Sequence, residues 1–205
     1  DGKSVDIEKG KKKKEEIVDP FFAQISELQQ KTVLKIGICK ETTSEEDGER
    51  RVAMVPDTAK RLLKSGIQVL IESAAGIGGG FTDAEYVRMG CEILNFSQEV
   101  YDAADVVVKI REPDTHPVTG KHEIDMLPKG KTMISFVGPR TDKGKELMER
   151  AKTAGINLLA VDAIPRVSRA QGLDVLTSQA KIAGYRSVVE AANIYQRFLN
   201  GEVTA

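Results

Sequence analysis

From Val33 onward, short apolar runs alternate with stretches whose apolar residues recur every three or four positions. Val33 to Cys39 predicts a first strand. Pro56-Asp57-Thr58 opens a helix that continues through Leu62 and Leu63 and stops at Gly66. Gln68 to Glu72 predicts the next strand. Thr82 and Glu85 have the spacing of a capping box for a helix ending at Gly90. A short strand at Glu92 to Leu94 and a short helix at Ser97 to Ala104 follow. Val106 to Ile110 is a continuous apolar strand, the pattern of a strand covered on both faces. Thr132 to Val137 predicts another strand, Lys143 to Thr153 an amphipathic helix closed by Gly155, and Asn157 to Val161 the last strand. From about Leu176 the chain lacks proline and predicts one long helix to about Leu199. Strands alternating with helices in this way predict an α/β fold, a doubly wound parallel sheet of about six strands with helices on both sides. Loops at the carboxyl ends of the strands should carry the function. No internal repeat is present.

The first thirty residues do not share this pattern. Lys11, Lys12, Lys13 and Lys14 follow Gly10, with Glu15 and Glu16 behind them. Such a block has too few apolar residues to pack and reads as a charged linker. Asp19-Pro20 then predicts an N-cap and first helical position, with Phe21, Ile25 and Leu28 on one face of a short helix. The expected organisation is therefore 1–30 as linker and short helix, and 31–205 as the folded unit.

Composition narrows the function classes. Among 205 residues, 30 Lys+Arg against 31 Asp+Glu leave a net charge of −1. That balance argues against a polyanion-binding surface, so no nucleic-acid partner is expected. No apolar run approaches the roughly 20 residues of a spanning helix, and the first thirty residues lack the apolar stretch of a secretory signal. Cys39 and Cys91 are too few for a disulfide framework and sit in apolar runs, which predicts reduced core thiols.

Three constellations bear on chemistry. Gly76-Ile77-Gly78-Gly79-Gly80-Phe81 follows a strand and precedes a helix, but the third glycine of a dinucleotide loop would fall at Phe81. Glycines there favour a tight turn and close backbone approach instead. His116 and His122 are the only histidines; they lie in a Pro/Gly-containing loop, read as surface, with no helical metal-pair spacing and no metal expected. The third constellation is the polar loop from Asp162 to Ser178, which gathers Arg166, Arg169, Gln171, Asp174, Thr177 and Ser178 at a strand's carboxyl end. Arg offers a fork for phosphate or amide carbonyl, Gln donates and accepts, and Asp accepts from ribose hydroxyls. An Arg–Asp brace of a surface loop fits the same residues, and chemistry alone leaves both readings open.

The run Pro165-Arg166-Val167-Ser168-Arg169-Ala170-Gln171, then Asp174, Ile182-Ala183-Gly184-Tyr185-Arg186 and Val189-Glu190-Ala191-Ala192, resembles the nucleotide-proximal loop of the proton-translocating NAD(P) transhydrogenases. Ile36-Gly37-Ile38-Cys39-Lys40-Glu41, Arg51-Val52-Ala53, Glu72-Ser73-Ala74-Ala75-Gly76 and Val107-Val108-Lys109-Ile110-Arg111 fit the same family, so the resemblance covers about Val33 to Ala205. It implies a Rossmann-like or flavodoxin-like lobe: the first of two lobes of the NAD(H)-binding domain I. By resemblance, Arg166, Gln171, Gly172, Leu173, Asp174 and Thr177 face NAD(H) in the cleft between the lobes, with Thr177 in place of the family's usual serine. No covalent or acid/base catalytic residue is implied. The implied partners are the second lobe, an NADP(H)-binding domain and a membrane domain, with a homodimer of domain I. The implied setting is a soluble segment of an enzyme held at a mitochondrial or other organelle inner membrane, or at a bacterial plasma membrane.

Alanine dehydrogenase shares this lobe's fold and is the rival resemblance. Of the arginine, lysine and histidine that would hold pyruvate there, Arg51 matches the first, Arg111 replaces the second, and Gly138 stands at the third. A dehydrogenase needs an acid/base at the carbonyl oxygen, and glycine supplies none. Arg51 then reads as structural. A non-catalytic nucleotide-binding or oligomerisation module is the remaining alternative.

Overall fold

In the computed structural model, the residues described are 33–41, 48–195 and 197. The expected helix at Asp19-Pro20 and the far end of the last helix, near Leu199, lie outside them. Six strands form one sheet: β1 (Lys35–Ile38), β2 (Gln68–Glu72), β3 (Glu92–Leu94), β4 (Val106–Val108), β5 (Thr132–Ser135) and β6 (Asn157–Ala160). All neighbours run parallel, in the order β3-β2-β1-β4-β5-β6. This is the doubly wound order, and the direction of winding reverses between β1 and β4. Among the described residues the α-helices are α1 (Pro56–Lys64), α2 (Asp83–Met89), α3 (Ser97–Ala103), α4 (Glu123–Met126), α5 (Asp142–Ala154) and α6 (Val175–Ile194).

Local sequence accounts for the helix ends. Pro56 opens α1 at a position where its missing N–H is no loss. The Glu85 carboxylate accepts from the Thr82 backbone N–H at 2.7 Å at the start of α2. Thr141 caps α5 by accepting from the Gly144 N–H at 3.0 Å, and left-handed Gly155 (φ 72°) ends it.

Side chains alternate to either face of the sheet, and each face has its own core. Ile38, Val69 and Ile71 pack with Ala59 of α1 and Tyr86 of α2 on one side. Leu70, Val107 and Met133 pack with Val100 and Tyr101 of α3, Ile124 of α4, and Leu147 and Ala151 of α5 on the other. Both cysteines are buried free thiols, as their apolar runs predict, and burial pushes both thiols up from their ordinary range.

Carboxylates finish the sheet at the strands' carboxyl ends. Glu72 accepts from the Lys40 N–H at 2.8 Å. Glu41 accepts from Ile110 and Arg111 at 2.6 and 3.0 Å. Asp162 accepts from Val137 and Gly138 at 3.2 and 2.8 Å. Each acid satisfies amides that the neighbouring strand no longer reaches. This is why β4 stops at Val108 and β5 at Ser135, short of the apolar runs that predict them to Ile110 and Val137.

The histidine loop differs from expectation. His116 is buried: its Nε2 lies 2.9 Å from Ser97 Oγ, and its Nδ1 accepts from the Thr119 N–H at 3.3 Å. An accepting Nδ1 makes Nε2 the protonated nitrogen, so His116 donates to Ser97 and anchors the loop. Next to it, Glu123 has no exposed side-chain surface and forms an ion pair with Lys109, equally buried. Glu123 also accepts from the Tyr101 hydroxyl at 2.9 Å and the Asp114 N–H at 3.0 Å.

Candidate functional site

At the β1/β4 switch point the ends of the strands open into a pocket of about 420 Å³. Val52, Ala53 and Val55 from the segment after β1, Phe81 before α2, Ile110 after β4, Phe136 after β5, Val161 after β6 and Val175 of α6 make its wall mostly apolar. The glycine-rich stretch supports this wall through close backbone packing. A Cβ on Gly76 would lie 2.7 Å from the Phe81 carbonyl oxygen, and one on Gly78 would lie 2.8 Å from that of Arg50. Close backbone approach, as the broken spacing predicts, is what those positions require.

The polar groups of the pocket are few. Arg51 forks onto Glu49, its Nε donating to Oε1 at 2.8 Å and its Nη2 to Oε2 at 2.6 Å. Its Nη1 donates to Gln179 Oε1 at 2.9 Å. Arg111 approaches the same Glu49 at 3.7 Å. The guanidinium of Arg51 holds the Glu49 carboxyl down at about 2. Lys109 also lines the pocket, but its amine is turned away onto Glu123.

The polar loop leaves β6 through a 3-10 turn at Val161–Ala163, forms a second over Ser168–Leu173, and enters α6. Asp174 is the N-cap: its Oδ1 accepts from the Leu176 and Thr177 N–H groups at 3.1 and 3.0 Å, and its Oδ2 from the Thr177 hydroxyl. The Thr177 hydroxyl, ahead of the amides, holds the Asp174 carboxyl below its ordinary range, and Arg166 adds a smaller pull in the same direction. Asp174 and Thr177 are thus brought together, half-buried. The partners of Asp174 lie in its own helix, so an Arg–Asp brace is not what shapes this loop. Arg166, Gln171, Gly172 and Leu173 are exposed. Among the described residues, the side chains of Arg166 and Gln171 make no hydrogen bond, which leaves a guanidinium and an amide facing outward at the strands' carboxyl end.

Two polar residues that line the pocket were not among the expected site residues, Arg51 and Gln179. Arg51, read as structural, lines the pocket and donates to Gln179 of α6. Gln179 carries one available signal: it lies four residues after Val175, on the same helical face.

The fold is a doubly wound α/β sheet with a pocket at its topological switch point, the place where such folds take ligands. Residues 37–183 match the family model described as "Alanine dehydrogenase/PNT, N-terminal domain", and the chain belongs to that family. It is 44% identical over 172 residues to an NAD(P) transhydrogenase subunit alpha from Cereibacter sphaeroides, covering 84% of this chain and 31% of that one. It is 31% identical over 169 residues to an alanine dehydrogenase from Methanococcus maripaludis, covering 82% and 41%. Among solved structures, the transhydrogenase of Sinorhizobium meliloti superimposes with a TM-score of 0.69 at 33% identity, covering 83% of this chain and 48% of that one. The chain therefore spans less than half the length of each of these proteins.

Proposed function

We propose that this chain is the first lobe of the NAD(H)-binding component of a proton-translocating NAD(P) transhydrogenase, an enzyme that passes hydride between NAD(H) and NADP(H). The observation that carries the reading is the 44% identity to a transhydrogenase alpha subunit, against 31% to an alanine dehydrogenase. On this reading the lobe works with a second NAD(H)-domain lobe, an NADP(H)-binding domain and a membrane domain, as a homodimer of the NAD(H) component. By itself it is inactive. No helix among the described residues is long and apolar enough to cross a membrane.

The residues present fit a dinucleotide. Arg166 and Gln171 offer unengaged donors on the loop, and the apolar pocket can exclude water from a flat ring. When bound, the nicotinamide supplies the hydride chemistry; the chain supplies placement. Arg166 binds through a charge-assisted hydrogen bond, and Gln171 orients through its amide. Asp174 and Thr177 fix the start of α6. Among the described residues, the pocket lining holds no free acid or base of the kind carbonyl reduction needs. Arg51 is forked on Glu49, Lys109 is paired with Glu123, and Gly138 holds its amide to Asp162. Direct transfer between two nicotinamides needs none, so this lining favours the transhydrogenase reading over amino-acid oxidation.

The test is calorimetric titration of NADH into this chain and into a polypeptide that continues through the following lobe. The longer polypeptide should bind, and the 205-residue chain should not reach low-micromolar affinity. No binding by the longer polypeptide would leave the structural-module alternative.

A further inference from the structure

We propose that Arg51 is a positioning residue for hydride transfer. Held by Glu49 and bonded to Gln179, it fixes the tilt of α6 and, through α6, the placement of the loop that carries Arg166 and Gln171. The inference rests on the transhydrogenase reading and adds residues that act on the reaction without touching the cofactor.

Little else holds α6 in place. Over Val175–Ile194 it buries no residue, and an element with few buried contacts takes its orientation from the few ties it has. Ser178 and Ser187 donate to carbonyls of their own helix at 3.0 and 2.8 Å, and Arg186 pairs with Glu190 one turn on. Asp174 and Thr177 are turned to capping. Among the described residues, Gln179 is the one α6 side chain with a hydrogen bond to the segment after β1, its Oε1 accepting from Arg51 Nη1 at 2.9 Å.

The other end of this tie is fixed. Arg51 donates to Glu49 from Nε, from Nη2 and from its backbone N–H, at 2.8, 2.6 and 3.0 Å. The Glu49 side chain is only 8% exposed. The chain just before Arg51 is pressed onto the glycine-rich turn, where a Cβ on Gly78 would lie 2.8 Å from the Arg50 carbonyl oxygen. With three guanidinium nitrogens donating to protein acceptors, Arg51 is engaged as a strut. Gln179 lies five residues past the Asp174 cap, about 7.5 Å along the helix axis. A tilt of about 8° about Gln179 therefore moves the cap, and the loop joined to it, by about 1 Å, a displacement that can cost about a hundredfold in a transfer step.

The experiment is single-turnover hydride transfer, beside an NADH titration, on the polypeptide that continues through the following lobe, mixed with a transhydrogenase NADP(H)-binding domain. Gln179→Leu removes the acceptor and should slow transfer by about tenfold or more while NADH affinity stays within about threefold. Gln179→Glu restores an acceptor of the same reach and should transfer within about twofold of the unsubstituted polypeptide. Arg51→Met should match Gln179→Leu, and the double variant should be no slower than the slower single, because the second substitution removes a tie already lost. A residue that merely supports the fold would lower affinity and thermal midpoint together with the rate. Transfer within twofold for Gln179→Leu, a Gln179→Glu rate as low as that of Gln179→Leu, equal losses of rate and affinity, or additive losses in the double variant would each overturn the strut. Should Arg51→Met fail to fold, the two Gln179 variants decide the matter alone. Transfer that ignores Gln179 defeats only the strut, whereas no transfer by the unsubstituted polypeptide defeats the transhydrogenase reading and the strut with it.

Discussion

Replacing Lys109 with methionine should destabilise the fold severely, and the reason lies just behind the pocket. Lys109 and Glu123 have no exposed side-chain surface. Glu123 is also the acceptor for the Tyr101 hydroxyl and for the Asp114 N–H that starts the loop after Arg111. Lys109→Met leaves a fully buried carboxylate held by two neutral donors, a loss of about 3–5 kcal/mol. Glu123→Gln removes the carboxylate that pairs with the buried Lys109 amine and should also destabilise the fold. The double variant removes both charges while the amide still accepts from Tyr101 or Asp114. It should therefore recover at least about 2 kcal/mol relative to the sum of the singles. Urea unfolding followed by far-UV circular dichroism reads all three values, with constant m-values confirming that the same transition is measured. A Lys109→Met cost below about 1 kcal/mol, or singles that add to within about 0.5 kcal/mol, would refute the buried-pair argument.

Other expectations follow from equally local geometry. Gly37→Ala would place a Cβ 2.6 Å from Val100 Cγ1 and 2.8 Å from Ala104 Cβ, and should cost about 1–3 kcal/mol by overpacking β1 against α3, visible as a lower thermal midpoint. Glu49 sits at about 2 in the folded chain against an ordinary 4.5, so its contribution to stability is complete above 4.5 and is lost as pH falls towards 2. Glu49→Gln should therefore flatten the stability curve across that window, and an unchanged slope in acid unfolding would count against the Arg51–Glu49 fork. Gln171→Asn withdraws the amide by one methylene. In the assembled enzyme it should slow the single-turnover hydride step by up to about a hundredfold while NADH affinity stays nearly unchanged. Equal losses of rate and affinity would reduce Gln171 to a loop brace.

The sheet was legible because parallel strands buried on both faces are short apolar runs between capped helices. Gln68–Glu72 and Glu92–Leu94 form over the residues their pattern predicts. Strand ends were not legible where a distant carboxylate ends the ladder: Glu41 and Ile110 are 69 residues apart, and Asp162 and Val137 are 25 apart. Helix α4 spans only four residues, too few to show a period, so the buried Glu123 and the anchoring role of His116 were hidden inside what reads as a surface loop. The polar loop after β6 was visible as a cluster of Arg, Gln, Asp and Thr. Its internal division, with Asp174 and Thr177 turned to capping and Arg166 and Gln171 left outward, depends on helix geometry. The Arg51–Gln179 contact joins residues 128 positions apart, and no local pattern announces it.

The central claim is most directly tested by hydride transfer itself. A polypeptide carrying this chain and the following lobe, mixed with a transhydrogenase NADP(H)-binding domain, should oxidise NADPH at the expense of an NAD analogue, and it should not reduce NAD when offered alanine. Alanine-dependent reduction of NAD without transfer between the two nucleotides would contradict the account.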